Sequence, residues 1–259
     1  KGWTWTWQVP RADFDKTLAD QAEASGIAID YETAVTEVQF YGTDSIAIVQ
    51  DKHGNKKQIK SRYIIDASGY GRVLPGLLNL EKPSNFPPRS AMFTHFKDPN
   101  RPDGDDKNRI IIIAHTRDVW IWIIPFSNGI TSVGYAGEMS FFDNFEGTPE
   151  KKFRAIVDAN LHIKDRFKDA EMIFEPKTIT GYAKAVKQLY GDGYALTGNS
   201  AEFLDPVFSS GVTFAAESGA LAAKLASRQL KGEKVDWKTE YSDYIIAGVD
   251  TFRSYVLAW

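Results

Sequence analysis

The chain contains no cysteine, which removes disulfide frameworks, thiol nucleophiles and zinc–thiolate centres from consideration. Histidine is nearly as scarce. The four scattered residues His53, His95, His115 and His162 leave little for a metal centre. No apolar run approaches the ~20 residues that a membrane-spanning helix needs. The opening Lys1-Gly2-Trp3-Thr4-Trp5-Thr6-Trp7 lacks both the apolar stretch and the small-residue cleavage pattern of a secretory signal. Positive charge is not in excess either, since the formal net charge is -3, and a generally basic nucleic-acid surface is thereby disfavoured. Internal repeats and low-complexity tracts are absent. The reading is a cytoplasmic globular protein with a small-molecule ligand, no nucleic-acid partner and no membrane span.

Aromatic residues are what the sequence has in plenty: 7 Trp, 11 Tyr and 16 Phe in 259 residues. That length is nearer two domains than one, at roughly 150 residues per domain, and 43% apolar with 25% charged residues excludes a disordered chain. Three indoles alternate at Trp3, Trp5 and Trp7, predicting a strand over 2–8 that Pro10 closes. The abrupt start and the equally abrupt Leu257-Ala258-Trp259 end predict a segment of a longer protein.

A helix is expected from a cap at Asp13 to about Ser25, because Phe14, Leu18 and Ala22 recur at helical spacing and Gly26 stops the pattern. Strands follow over 34–41, 45–50, 57–61 and 63–66. The Pro-, Asn- and Asp-rich stretch 80–109 reads as a connection around one strand at 91–96, with its charge run as solvated surface. Further strands are expected over 110–114, 119–124, 131–135, 172–175, 178–185 and 194–197. Helices are expected over 149–160, with Thr148 as cap and Pro149 in first position, over 211–230, and from near Trp237. This order predicts a mixed α/β fold with long antiparallel runs in the middle.

Two segments imitate a phosphate-binding glycine loop and fail. In Asp66-Ala67-Ser68-Gly69-Tyr70-Gly71-Arg72-Val73-Leu74 the third glycine is replaced by Leu74 and Pro75 follows. Gly191-Asp192-Gly193 precedes a strand when it should follow one. Two other segments are stronger. Residues 197–212 join an apolar strand to a long helix through small and polar residues, so N–H groups near Ser210, Gly211 and Val212 can hold an anion, or are capped by Ser209 or Ser210. In Trp120-Ile121-Trp122-Ile123-Ile124-Pro125 both indoles fall on one strand face, as core packing or as the wall of a site.

Together these segments resemble the flavin-dependent halogenases and their relatives among single-component flavoprotein monooxygenases and geranylgeranyl-reductase-like enzymes. Trp120-x-Trp122-x-Ile124-Pro125 matches the W-x-W-x-I-P signature. Asp205-Pro206-x-x-Ser209-Ser210-Gly211-Val212 is similar to the flavin-contact loop. Val9-Pro10-Arg11-x-x-Phe14-Asp15-x-x-Leu18 is similar to an arginine-containing helix start beside the cofactor, and Ile65-Asp66-Ala67-Ser68-Gly69 to a second dinucleotide-proximal segment. The glycine fingerprint and the lysine that precede these motifs in the family lie upstream of anything matched here. Asn199 stands where relatives carry an aspartate. Phe208 stands where tryptophan halogenases carry an acid, which implies a substrate other than tryptophan.

The resemblance implies FAD as cofactor, with chloride or bromide as co-substrate and a separate flavin reductase as partner. Arg11, Asp66, Ser68, Gly69, Gly198, Asn199, Asp205, Pro206, Ser209, Gly211 and Val212 would contact the cofactor. Trp120, Trp122 and Ser210 would serve the reaction, the indoles as a wall between flavin and substrate and Ser210 beside the halide. Residues 1–75 and 186–235 would belong to the FAD-binding domain, 76–185 to an inserted substrate-binding sheet, and 236–259 to a C-terminal helix. The implied activity is FAD-dependent oxidation of a small aromatic or apolar molecule. Alkene reduction, hydroxylation and a noncatalytic apolar-ligand module are the alternatives.

Overall fold

A computed structural model describes residues 6–84, 86 and 88–259. Trp3 and Trp5 of the expected opening strand lie outside the described residues, and residues 6–10 form no regular element. The first elements are α1 (Arg11–Ala24), β1 (Thr33–Tyr41), β2 (Asp44–Asp51), β3 (Lys56–Ser61), β4 (Ile64–Asp66), α2 (Val73–Leu77) and β5 (Glu81–Lys82). Next come β6 (Arg89–Lys97), β7 (Ile111–Thr116), β8 (Val119–Pro125), β9 (Ile130–Glu138), α3 (Met139–Asp143), α4 (Pro149–Asp158) and α5 (Lys164–Phe167). The chain closes with β10 (Lys177–Thr180), β11 (Ala185–Val186), β12 (Tyr190–Gly191), β13 (Tyr194–Leu196), α6 (Gly211–Leu230) and α7 (Asp243–Ala258). The fold class is the mixed α/β arrangement that the element order predicts. No helix among the described residues is long and apolar enough to cross a membrane.

The chain divides into two compact units. The first comprises Lys1–Ile29 and Pro88–Gly181 and is built on an antiparallel sheet in the order β10-β6-β9-β8-β7. Alternation along β8 turns Ile121 and Ile123 to one face and Trp120 and Trp122 to the other. The isoleucine face packs with Met92, Phe96, Val133 and Tyr135 against Phe153, Ile156 and Val157 of α4 and Phe167 of α5. Each such fully buried side chain contributes about 1.5–3 kcal/mol. Helix α4 starts as its sequence predicts, with Pro149 first and the Thr148 hydroxyl accepting from the Lys151 amide.

Four expectations in this part of the chain are corrected. Helix α1 begins at Arg11 with Pro10 in the cap position, so Asp13 lies inside its first turn, and the Phe14–Leu18 stripe stays exposed. The segment 172–175 makes only an isolated bridge, Met172 with Phe96. The run 178–185 breaks at Gly181, whose φ of +59° ends the pairing with β6. The charge run is also not all solvated. Asp98 is buried, receives Arg166 at 2.6 Å and the Thr131 hydroxyl at 2.6 Å, and has the Arg101 guanidinium 3.7 Å away. Arg101 in turn donates to the Phe126 and Ile130 carbonyls. Neutralisation by two guanidiniums is what permits a carboxylate to sit there.

The second unit comprises Asp30–Pro87 and Tyr182–Trp259. Strands β1, β2 and β3 form an antiparallel meander, while β13 lies between β12 and β4 and runs parallel to β4, Tyr194 opposite Ile64 and Leu196 opposite Asp66. Residues 190–194 form the β12–β13 hairpin, which is why Gly191-Asp192-Gly193 is not a nucleotide loop. The core joins Leu196, Ala222, Leu225, Trp237, Tyr241 and Ile245, and the Tyr241 hydroxyl donates to the Leu196 carbonyl at 2.6 Å. Ahead of α7, a π-helical turn spans Lys238–Ser242.

Candidate functional site

Because β4 and β13 are parallel neighbours, their carboxyl ends leave the sheet on the same side. That edge is where open α/β sheets bind ligands. The segments that follow them are stitched together: the Asp66 carbonyl accepts from the Thr197 amide at 2.9 Å, the Thr197 hydroxyl at 3.0 Å and the Ser200 hydroxyl at 2.7 Å. The buried Asp66 carboxylate accepts from the Ser68 and Leu74 amides, each at 2.7 Å, and the Ser68 hydroxyl accepts from the Val73 amide at 2.9 Å. Asp66 and Ser68 therefore shape the turn, and Gly69 sits at its tip with φ +59°.

Arg72 completes this turn and is the residue that the sequence reading missed. It is buried and adopts a left-handed conformation, φ +45°. Its guanidinium donates to Glu81 at 3.0 Å, to the Ala185 carbonyl at 3.0 Å and to the Asn199 carbonyl at 3.1 Å. One side chain thus ties the turn after β4 to the loop after β13. The available signal was a cation closing a Gly-x-Gly turn just before an apolar stretch.

The loop after β13 is held at close quarters. Gly198, at φ +53°, donates to the Ser218 hydroxyl at 2.9 Å, and a Cβ there would meet that of Ala215 on α6 at 3.1 Å. The Asn199 backbone is fixed by Arg72, whereas its side-chain amide makes no hydrogen bond among the described residues. Asp205 is buried, caps a short 3-10 turn (Pro206–Phe208) through the Val207 amide at 3.1 Å, and accepts from the Tyr182 hydroxyl at 3.3 Å. Ser209 is exposed with φ +52°, and this left-handed residue turns the chain into α6.

At the start of α6 the donors are left open. Ser210 occupies the cap position but its hydroxyl caps nothing, so the alternative of simple serine capping is not what this structure adopts. The first N–H groups of a helix have no intrahelical acceptor, and those of Gly211, Val212 and Thr213 meet no acceptor among the described residues. With Val212 exposed, a 20-residue helix points its positive end outward at this point. Behind the loop, α7 supplies Arg253, which pairs with Glu202 at 2.7 Å. Burial pushes the Glu202 carboxyl above its ordinary range, against the opposing pull of Arg253. A cavity of about 180 Å³ beside this pair is lined by Lys82, Val186, Leu189, Glu202 and Arg253.

Trp120 and Trp122 lie in the first unit, their rings 5.5 Å apart. Opposite them on β9 stand Ala136 and Gly134. A Cβ on Gly134 would collide with the Trp122 ring, so the indole lies flat over the central strand, and its Nε1 donates to the Ser132 hydroxyl at 3.1 Å. Phe93 lies across Gly134 from it at 6.1 Å. The outcome is an aromatic face on the side of the sheet opposite the helices. Arg11 is also in the first unit, held by Asp15 at 2.7 Å. The structure thus brings together Asp66, Ser68, Gly69, Gly198, Asn199, Asp205, Pro206, Ser209, Ser210, Gly211 and Val212 in one unit, and Trp120, Trp122 and Arg11 belong to the other.

Comparisons with known proteins identify the family. The family profile described as tryptophan halogenase matches residues 1–259. The crystal structure of a flavoprotein/dehydrogenase from Cytophaga hutchinsonii superposes with a TM-score of 0.96 at 55% identity, covering 100% of this chain and 64% of that one. A 1H-pyrrole-2-carbonyl-[peptidyl-carrier protein] brominase of Pseudoalteromonas luteoviolacea is 28% identical over 92% of this chain and 59% of its own length. The corresponding chlorinase of Pseudomonas fluorescens is 30% identical over 84% of this chain and 50% of its own length. The chain spans about half to three-fifths of these curated relatives. It belongs to the tryptophan halogenase family of flavin-dependent halogenases.

Proposed function

We propose that this chain contributes the flavin-contact loop and the substrate sheet of an FAD-dependent halogenase acting on a small, electron-rich aromatic molecule. The observation that carries the reading is the open N-terminus of α6, where Ser210, Gly211 and Val212 offer uncommitted donors beside the free Asn199 amide. Such a donor set fits the anionic edge of a reduced flavin together with a hydroxyl-bearing chain. Bound reduced flavin would supply the electrons that convert oxygen and a halide into an electrophilic halogen. The chain's own residues would do the rest. Gly211 and Val212 would hold the negative edge, Ser210 would lie nearest the halide, and Asn199 would hydrogen-bond the cofactor's hydroxyls. Asp66, Ser68, Gly69 and Arg72 would set the backbone that receives it, with Gly198, Asp205, Pro206 and Ser209 giving the loop its shape.

In the same reading the bounds expected at 1–75, 76–185 and 186–235 move to those of the compact units: 30–87 and 182–235 serve the FAD-binding domain, 88–181 the substrate, and 236–259 form a bracing helix. Trp120 and Trp122 keep substrate from meeting the flavin, and Arg11 offers a cation to its phosphates. A separate flavin reductase supplies reduced FAD in the cytoplasm. Phe208, exposed in the loop, stands where tryptophan halogenases carry an acid, which favours phenols or pyrroles over tryptophan. Full-length protein given reduced FAD, oxygen and bromide should yield brominated phenols or pyrroles by mass spectrometry. Hydroxylated products alone would refute the proposal. The flavoprotein at 55% identity is called a dehydrogenase, which favours one second reading, substrate oxidation or reduction without halide. Turnover equal in the presence and absence of halide would select it.

A further inference from the structure

On the aromatic face of the first unit, where Lys177 lies over the Phe174 ring, His95 is a polar group without a hydrogen-bond partner among the described residues. His95 stands two residues after Phe93 on β6, so both side chains point to the same face of the sheet. The register sets Phe93 against Gly134 and His95 against Ser132, the residue that receives the Trp122 Nε1–H. Around His95 the rings stand edge-on, Phe174 at 4.9 Å and Phe126 at 5.5 Å, and Phe174 in turn meets Phe93 at 6.4 Å. The imidazole is half-buried, and neither of its ring nitrogens has a hydrogen-bond partner among the described residues. Burial lowers its pKa from the ordinary value, leaving a neutral ring with one N–H and one bare acceptor nitrogen.

His115 makes the contrast. It is also half-buried and also held neutral by burial, yet its Nδ1 is engaged by the Asn160 amide at 2.9 Å. The His95 nitrogens are not among the sealed, unsatisfied polar atoms of the described residues, so a donor arriving on this face can reach them. We propose that His95 is a specificity-determining residue, accepting a hydrogen bond from the O–H or N–H of an electron-rich aromatic ring that lies on the Trp122–Phe93–Phe174 face. This rests on reading that face as the substrate side. An acceptor at the donor hydrogen pushes electron density into the ring, which favours attack by an electrophilic halogen. It also fixes which ring edge faces the reagent.

The test uses the full-length FAD-loaded protein and two matched ligand pairs, phenol with anisole and pyrrole with N-methylpyrrole, with binding followed by calorimetry. One hydrogen bond of ordinary strength predicts that the wild type binds the unmethylated member of one pair about 10-fold more tightly. The pair that discriminates says whether the donor is O–H or N–H. In His95→Phe that ratio should fall to about 1 while the methylated ligand keeps its affinity, and His95→Gln, which retains an acceptor, should restore part of it. His95→Leu serves the same purpose where the larger ring prevents folding. A ratio unchanged in these variants, or a wild type that prefers neither member of either pair, overturns the proposal. Bromination assayed on the same samples separates the two readings. A wild type that keeps the 10-fold ratio and forms no bromo product refutes the halogenase reading alone. Bromination with an unchanged ratio in His95→Phe refutes the role of His95 alone.

Discussion

The two signature regions are built on opposite plans. Around Trp122 the sequence supplies the partners: the indole N–H meets Ser132, its ring fills the space that Gly134 vacates, and Phe93 covers the far side. At residues 197–212 the polar scaffold is equally dense, but it stops short at one place. Asp66, Arg72, Thr197, Ser200 and Asp205 satisfy each other and the backbone, and the cap of α6 is withheld. A rigid wall is made by satisfying its groups. A binding site for charge is made by immobilising the backbone and leaving a few donors without a partner.

Four substitutions sharpen that contrast, from the largest effect to the smallest. Asp66→Ala strands the Ser68 and Leu74 amides and should cost about 4 kcal/mol in urea unfolding, since each bond to a charged acceptor contributes roughly 1.5–3 kcal/mol. Gly134→Ala drives a methyl into the Trp122 ring and should cost about 3 kcal/mol, with a changed tryptophan emission that reports the displaced indole.

Arg253→Met leaves Glu202 without its cation, and a partly exposed pair of this kind is worth about 2 kcal/mol after discounting for solvent. Here pH gives a second check. The folded pKa of Glu202 lies above its ordinary 4.5, so its contribution to stability is full below that value and is lost as pH rises through the raised one. Melting temperatures of Arg253→Met should therefore recover on acidification, and the recovery should be absent when Glu202→Gln is added. Asn199→Ala comes last. Its side-chain amide makes no hydrogen bond among the described residues, so stability should stay within about 0.5 kcal/mol while FAD affinity falls. An equal loss of stability would make Asn199 part of the scaffold and erase the contrast.

Most of the regular structure was legible because its causes are local. The long helix over 211–230 begins and ends where the sequence predicts, and Trp120 and Trp122 share a face because strand period is 2. What was not legible depends on partners far away in sequence. Nothing local marks Asp98 as buried, for Arg166 lies 68 residues on. Arg72 reads as a surface cation until Ala185 and Asn199, 113 and 127 residues away, come to meet it. The candidate site was legible as a motif, but Asp66 and Ser68 prove to bond the backbone, a distinction that only the geometry makes. His95 carried no signal at all, because an unpartnered nitrogen is visible only once its neighbours are known.

The central claim is that the open donors of α6 receive a negative ligand, and Val212→Pro tests it directly. Proline in the first turn removes an N–H that has no intrahelical acceptor, at little cost to the helix. In the full-length protein, FAD affinity measured by flavin fluorescence should fall about 10-fold or more, the size expected for one lost charge-assisted bond, with the melting temperature unchanged. Wild-type affinity in this variant would contradict the account.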